Sequence, residues 1–211
     1  MMILALEFSS TRRSVALARE GSLLAEAVAQ TEGRGTDAFG LIEQVLKKAE
    51  ISRDAVGIIA IGLGPGSYTG IRAAIAVAQG WQLARGVKLL GVSSMESLAL
   101  QAQTEGLTGL VNLAVDAQRG EFYLARWEIS RDARKEVVPL RIVSPPEFAA
   151  QKDLVCAGPE MDRRLFPTAA AVAQLAAGRT GFVSGEKLEP IYLRETTFVK
   201  ASPPIKTALI N

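Results

Sequence analysis

The chain has 211 residues, enough for one large domain or two small lobes, and its 48% hydrophobic and 22% charged residues are typical of a folded globular protein. It contains no histidine, which excludes a Ser-His-Asp triad, a Cys-His pair and a histidine-bound metal, and therefore most hydrolase mechanisms. The net charge of +2 is too small to indicate nucleic-acid binding unless the arginines cluster in space, and the single cysteine, Cys156, cannot form an internal disulfide. With no signal-peptide pattern and no apolar run near the roughly 20 residues of a membrane span, we expect a cytoplasmic protein.

The first part of the chain is predicted to form three antiparallel strands. Residues 2–7 form an apolar run that ends in the acidic Glu7, and a polar turn leads into a second apolar run over residues 14–18. A Glu-Gly turn follows, and residues 22–29 alternate well enough to be a third strand. The fold therefore opens with a strand, a carboxylate and a hairpin.

A helix and a further strand come next. Apolar residues recur at three- and four-residue steps over residues 38–49, which predicts an amphipathic helix whose first amides Thr36 or Asp37 can cap. Residues 56–62 then form a short apolar strand.

The second half begins with a pattern like the start of the chain. Residues 113–116 end in the acidic Asp116, and a basic turn and another apolar run follow, which predicts an internal duplication. The other predicted elements are strands over 89–92, 121–127, 135–143 and 153–157, helices from 93 or 94 to about 103, after Ser144 and over 168–177, and an extended piece over 190–194. We place an N-terminal lobe at 1–107 and a C-terminal lobe at 108–211, the last segment of which packs back on the first lobe.

Strands that end in carboxylates beside polar hairpins are the layout of the actin, sugar-kinase and heat-shock-ATPase superfamily, in which a nucleotide lies between two lobes. In that layout Glu7 and Asp116 face a metal, and amides and hydroxyls of the first turn bind phosphate. The turn residues concerned are Ser9, Ser10 and Thr11. The alternative is that Glu7 is a strand-end carboxylate that caps the turn.

The loop over residues 64–70 is the sharpest local motif. Its glycines permit close backbone approach, and the alanine-rich residues 71–85 after it predict a helix whose free amides could hold an anion. The loop lacks the Lys-Ser or Lys-Thr of a Walker loop, and a purely structural turn is the alternative. The loop residues concerned are Gly64, Pro65, Gly66 and Gly70.

Five blocks of the sequence, in order along the chain, carry a family resemblance. They are Ile3-Leu-Ala-Leu-Glu-Phe-Ser-Ser10, Gly64-Pro-Gly-Ser-Tyr-Thr-Gly-Ile-Arg72, Gly91-Val-Ser-Ser-Met-Glu-Ser-Leu-Ala99, Val115-Asp-Ala-Gln-Arg-Gly-Glu-Phe-Tyr123 and Tyr192-Leu-Arg194. Together they resemble the TsaB (YeaZ) family of tRNA threonylcarbamoyladenosine biosynthesis. The resemblance implies an α/β fold of two lobes with mixed sheets flanked by helices, ribonuclease H-like and shared with the catalytic subunit TsaD. Family members usually carry an aspartate where this chain has Glu7.

The resemblance also implies a function without catalysis. TsaD holds its metal with a His-x-x-x-His motif that this chain lacks, so we expect a scaffold or activator that dimerises with TsaD, works with the TsaE ATPase, reaches tRNA through the complex and forms a homodimer when alone. No cofactor and no metal are expected. The partner interface is predicted on two helix faces, at Leu41, Val45, Ala74 and Ala78, unless these faces only cover the protein's own sheet.

Two other functions were weighed from the residues. A small-molecule kinase or ATPase would use Glu7 and Asp116 around a metal-nucleotide, but 211 residues leave little room for two full nucleotide-binding lobes. A metallopeptidase is disfavoured by the absent histidine and the lone cysteine.

Overall fold

The structure is a computed structural model, and it describes residues 1–30, 37–151 and 154–194. The first of two mixed sheets has the strand order β3-β2-β1-β4-β5. Its strands are β1 (Met2–Glu7), β2 (Arg12–Arg19), β3 (Ser22–Gln30), β4 (Val56–Gly62) and β5 (Lys88–Val92). The helices of this half are α1 (Ala38–Ala49), α2 (Tyr68–Arg85) and α3 (Ser94–Thr104), and a short 3-10 turn lies at Arg53–Ala55.

The second sheet has the order β10-β9-β6-β7-β8. Its strands are β6 (Gly109–Asp116), β7 (Phe122–Ile129), β8 (Arg134–Val143), β9 (Val155–Gly158) and β10 (Arg163–Arg164). The helices are α4 (Pro145–Ala149) and α5 (Ala169–Ala176), and a second 3-10 turn lies at Gly185–Lys187. The strand predicted over 153–157 corresponds to β9, and residue 153 lies outside the described residues. The extended piece predicted over 190–194 belongs to no sheet.

The two sheets repeat one topology. In the first, β1 and β2 are antiparallel, β2 and β3 are antiparallel, and β1 is parallel to β4, which is parallel to β5. In the second, β6, β7 and β8 are antiparallel in turn, and β6 is parallel to β9, which is parallel to β10. Read from β8, the second sheet therefore has the order of the first, which confirms the predicted duplication and the predicted class of two mixed sheets flanked by helices.

Two of the helices pack against the sheet formed by the other half of the chain. The first sheet packs one face against α1 and α2 and the other against α5, which follows the second sheet in sequence. The second sheet packs against α3, which precedes it. After α5 the chain returns to the first sheet. Val183 forms an isolated antiparallel β-bridge with Leu89, and the Ile191 N–H donates to the Leu63 carbonyl at 2.8 Å. The boundary placed at residue 107 stays a prediction.

Helix boundaries depend on local capping. Helix α1 has its predicted bounds because Asp37 accepts a hydrogen bond from the Gly40 N–H at 2.8 Å; Thr36 lies outside the described residues. Helix α2 begins earlier than predicted, since Ser67 caps it by accepting from the Gly70 N–H at 3.3 Å. The end of the glycine-rich loop is thus the first helical turn, and the prediction that all of residues 64–70 are non-helical is wrong. In the described part of the chain, no helix is long and apolar enough to cross a membrane.

Candidate functional site

A cleft of about 990 Å³ opens where five separate segments meet between the two sheets. These segments are the β1–β2 turn, the start of α2, the β6–β7 turn, the β9–β10 turn and the stretch that follows the second 3-10 turn. The residues that line the cleft are Ser9, Ser10, Thr11, Gly66, Ser67, Tyr68, Arg72, Val115, Asp116, Ala117, Gln118, Arg119, Tyr123, Glu160, Glu189, Pro190, Tyr192 and Arg194. The structure thus brings the predicted turn hydroxyls and Asp116 together.

Glu7 does not reach this cleft, and its predicted role as a metal-facing carboxylate is wrong. The side chain is fully buried, and its Oε1 accepts from the Ser9 N–H at 2.8 Å while its Oε2 accepts from the Ser94 hydroxyl at 2.8 Å. Burial raises the pKa of this carboxyl, although the hydrogen bonds from Ser9 and Ser94 oppose the shift. The alternative prediction, a strand-end carboxylate that caps the turn, describes what the structure shows.

Ser94 extends this contact to the glycine-rich loop. Its hydroxyl accepts from the Gly64 N–H at 3.0 Å while donating to Glu7, and its own N–H donates to the Gly64 carbonyl at 2.8 Å. Gly62 also lies directly against the carboxylate. A Cβ at this position would overlap the Glu7 oxygens. One buried carboxyl therefore fixes the end of β1, the start of α3 and the loop between β4 and α2.

The loop glycines are required by two close backbone approaches. A Cβ at Gly66 would overlap the Ser9 carbonyl oxygen, and a Cβ at Gly70 would overlap the Phe8 carbonyl oxygen. Gly66 also has a φ of 146°, and the Ser67 N–H donates to the Ser9 carbonyl at 2.7 Å. Pro65 is buried and follows a cis peptide bond. The loop therefore packs directly on the end of β1.

In the β1–β2 turn, the Ser10 and Thr11 hydroxyls make hydrogen bonds within the protein. The Ser10 hydroxyl donates to the Arg12 carbonyl at 3.0 Å, and the Thr11 hydroxyl accepts from Gln30 Nε2 at 3.3 Å. Ser9 and Ser10 are buried and Thr11 is exposed. Phosphate binding by these three residues stays a prediction.

Asp116 is held by the turn that follows it. Its Oδ1 accepts from the Gln118 N–H at 2.7 Å and its Oδ2 accepts from Gln118 Nε2 at 2.9 Å. Its own N–H donates to Glu160 Oε2 at 3.3 Å, and burial is the main reason that the pKa of Glu160 is raised. Within the described ranges, no cluster of three or more histidine, cysteine, aspartate or glutamate side chains could hold a metal ion.

Sequence reasoning missed the aromatic and basic side chains of the cleft. All three tyrosines of the chain line it, together with three arginines. Arg194 donates to the Ala117 carbonyl at 2.9 Å and to Glu121 Oε2 at 2.7 Å, and so ties the last described residues to the β6–β7 turn. Most of these residues stand in the sequence blocks quoted above, whereas nothing in the sequence marks Glu160.

The four predicted interface residues are not on the surface. Leu41, Val45, Ala74 and Ala78 are at most 7% exposed and belong to the core between α1, α2 and the first sheet. Their prediction as partner-contacting side chains is wrong, because these helix faces cover the chain's own sheet. The outward side of the same helices carries Phe39, 63% exposed, and Leu83, 91% exposed.

Comparisons with known proteins agree on one family. The family model "TsaD: tRNA N6-adenosine threonylcarbamoyltransferase" matches residues 37–193. The tRNA threonylcarbamoyladenosine biosynthesis protein TsaB of Escherichia coli is 26% identical over 230 residues, which cover 96% of this chain and 99% of the relative. TsaB of Bacillus subtilis is 29% identical over 140 residues, 66% of this chain and 60% of the relative.

Comparison with a solved structure indicates the same family. YeaZ from Pseudomonas aeruginosa superposes with a TM-score of 0.77 at 29% identity and covers 91% of this chain and 99% of its own. The two-sheet fold, the ordered sequence blocks and these matches lead to one conclusion. The chain belongs to the TsaB/YeaZ family of tRNA threonylcarbamoyladenosine biosynthesis proteins, within the group that the TsaD family model describes.

Proposed function

We propose that this chain is a non-catalytic scaffold or activator that docks on the TsaD catalytic subunit for threonylcarbamoylation of adenosine in tRNA. The observation that carries the proposal is an outward face of α1 and α2 that the chain's own core does not use. We call this face, defined by Phe39, Gly80 and Leu83, the α1–α2 surface. The TsaE ATPase is proposed as a further partner, with tRNA reached through the complex.

The α1–α2 surface has the form of a docking site. Phe39 and Leu83 expose large apolar side chains to water, which favours association with a complementary surface. Beside them lies a groove of about 290 Å³. Its lining residues are Phe39, Ile42, Glu43, Arg53, Gly80, Trp81, Ala84 and Arg85. Ion pairs Arg53–Glu43 and Arg85–Asp54 give this apolar groove a charged rim.

Gly80 indicates that a partner would approach the backbone of α2 closely. It lies inside α2, where glycine costs about 0.5–1 kcal/mol relative to alanine, and an added Cβ would meet no atom within 4 Å. Among the residues that the structure describes, the packing therefore does not require glycine here. Ala76 and Ala84, four residues to either side, are also small and exposed. A stripe of this kind lets a partner helix approach the α2 backbone closely.

The non-catalytic role is supported by how the two candidate carboxylates are used. Glu7 is buried and hydrogen-bonded to Ser9 and Ser94, and both oxygens of Asp116 accept from Gln118. The sequence has no histidine to act as a base or to hold a metal. We infer that the chemistry is carried out by the partner, and that the isolated chain self-associates through the α1–α2 surface.

The test is co-purification and calorimetric titration with the catalytic subunit. Gly80→Trp should abolish binding with an unchanged melting temperature, because the new side chain would project from the helix face. Gly181→Trp is the matched control, since a Cβ added at Gly181 likewise meets no atom of the described residues within 4 Å, but Gly181 is not part of α2. Equal binding by both variants and the native chain would place the interface elsewhere.

A further inference from the structure

The mouth of the inter-lobe cleft carries an aromatic pair. Tyr68 and Tyr192 are 53% and 48% exposed, and their ring centroids lie 6.0 Å apart with planes inclined at 60°. Tyr68 is the first residue of α2, and the residue before Tyr192 is hydrogen-bonded to the Leu63 carbonyl. Two exposed rings on fixed backbone beside a cavity form a surface on which a planar ligand can stack.

Two arginines line the same cleft as this pair. Arg72 lies one helical turn after Tyr68 on α2, and Arg119 lies on the β6–β7 turn. Both are exposed, and among the ion pairs of the described residues neither takes part in one. Guanidinium groups bind phosphate oxygens bidentately and also stack on aromatic faces.

The cleft lining also contains three acidic residues. Asp116 accepts two hydrogen bonds from Gln118, and Glu160 accepts one from the Asp116 N–H. Glu189 is the remaining acidic residue of the lining, and it is exposed. In the described part of the chain, none of the three forms an ion pair with Arg72 or Arg119, so both guanidinium groups remain available to a phosphate.

We propose that the cleft mouth binds an unpaired nucleotide of an RNA loop. Its base stacks on the exposed face of one ring of the tilted Tyr68–Tyr192 pair, with the second ring packed beside it, and its flanking phosphates bind Arg72 and Arg119. The inference rests on the proposed function, since a subunit that works on tRNA meets unpaired loop bases. Single-stranded RNA is bound in this way, by aromatic rings that stack bases and by basic groups that follow the backbone. The cleft volume of about 990 Å³ accommodates a nucleotide.

The experiment measures fluorescence anisotropy of a labelled RNA hairpin with an unpaired loop, titrated with the full chain alone. Tyr68→Ala and Tyr192→Ala should each weaken binding roughly tenfold or more, since stacking contributes about 1–3 kcal/mol per base. Arg72→Gln and Arg119→Gln should each weaken binding and lower the slope of log affinity against log salt by about 0.7. Tyr192→Phe and the distant Arg131→Gln should leave both quantities unchanged.

Several results would overturn the proposal. Among them are no binding of the hairpin, equal binding of a fully paired duplex, or binding that the tyrosine and arginine variants leave intact. If ATP binds with the same dependence on these residues and the hairpin does not, the cleft takes a free nucleotide instead. Gly80→Trp should keep RNA binding, and Tyr68→Ala should keep co-purifying with the catalytic subunit. Failure of the docking proposal and failure of this one are therefore distinguishable, with melting curves verifying that each variant folds.

Discussion

Replacing Ser94 by alanine tests whether the buried carboxyl of Glu7 is a structural anchor. The Ser94 hydroxyl makes two buried hydrogen bonds, one donated to Glu7 Oε2 at 2.8 Å and one accepted from the Gly64 N–H at 3.0 Å. Removing the hydroxyl leaves an acceptor and a donor unpaired away from water, and each costs about 1–3 kcal/mol. The expected loss is therefore about 2–6 kcal/mol. For a chain of this size, this lowers the melting temperature by roughly 4–24 °C.

Ser93→Ala is the matched control at the same helix start. Ser93 caps α3 by accepting from the Met95 N–H at 3.2 Å, and loss of such a cap costs about 0.5–2 kcal/mol, typically near 1. Urea unfolding at neutral pH would compare the two variants with the native chain. If Ser94→Ala costs no more than Ser93→Ala, the Glu7 carboxyl does not anchor these loops.

The remaining predictions concern pH and two glycines of α2. Burial raises the pKa of Glu7, so its contribution to stability is present below the unfolded carboxyl's pKa of about 4.3 and is lost as the pH rises through the higher native pKa. Urea unfolding at increasing pH should show this fall, and Glu7→Gln should reduce it. Gly70→Ala should destabilise by about 1–3 kcal/mol because its Cβ would overlap the Phe8 carbonyl, whereas Gly80→Ala should stabilise by about 0.5–1 kcal/mol. Calorimetric melting of the two alanine variants would contradict the packing described if both shifts had the same sign.

Local signals were enough to predict most of the elements. The bounds of α1 follow from apolar periodicity and the Asp37 cap, both of which can be read within a few residues. The start of α2 was misplaced because the sequence after Pro65 has the composition of a turn, and only the Ser67 hydrogen bond shows that the helix has begun. Capping hydrogen bonds decide where such helices begin, and the amino-acid composition around the cap gives only a weak sign of them.

The direction of side chains was harder to predict. All six residues of β1 are buried, so no alternation in the sequence shows that Glu7 points to the loops rather than to the cleft. Helix α2 is rich in small residues on every side, so its sequence does not separate buried Ala74 and Ala78 from exposed Ala76 and Gly80. The cleft combines five segments far apart in the chain, and only the folded topology brings them together.

The most direct test of the account is reconstituted threonylcarbamoyl transfer to tRNA by the catalytic subunit with this chain added. We predict that Asp116→Asn in this chain preserves the stimulated rate, because no chemistry is assigned to that carboxylate. Gly80→Trp should abolish the stimulation by blocking the α1–α2 surface. If Asp116→Asn abolishes transfer while still binding the catalytic subunit, and Gly80→Trp does not, the chain contributes to the chemistry itself and the account is wrong.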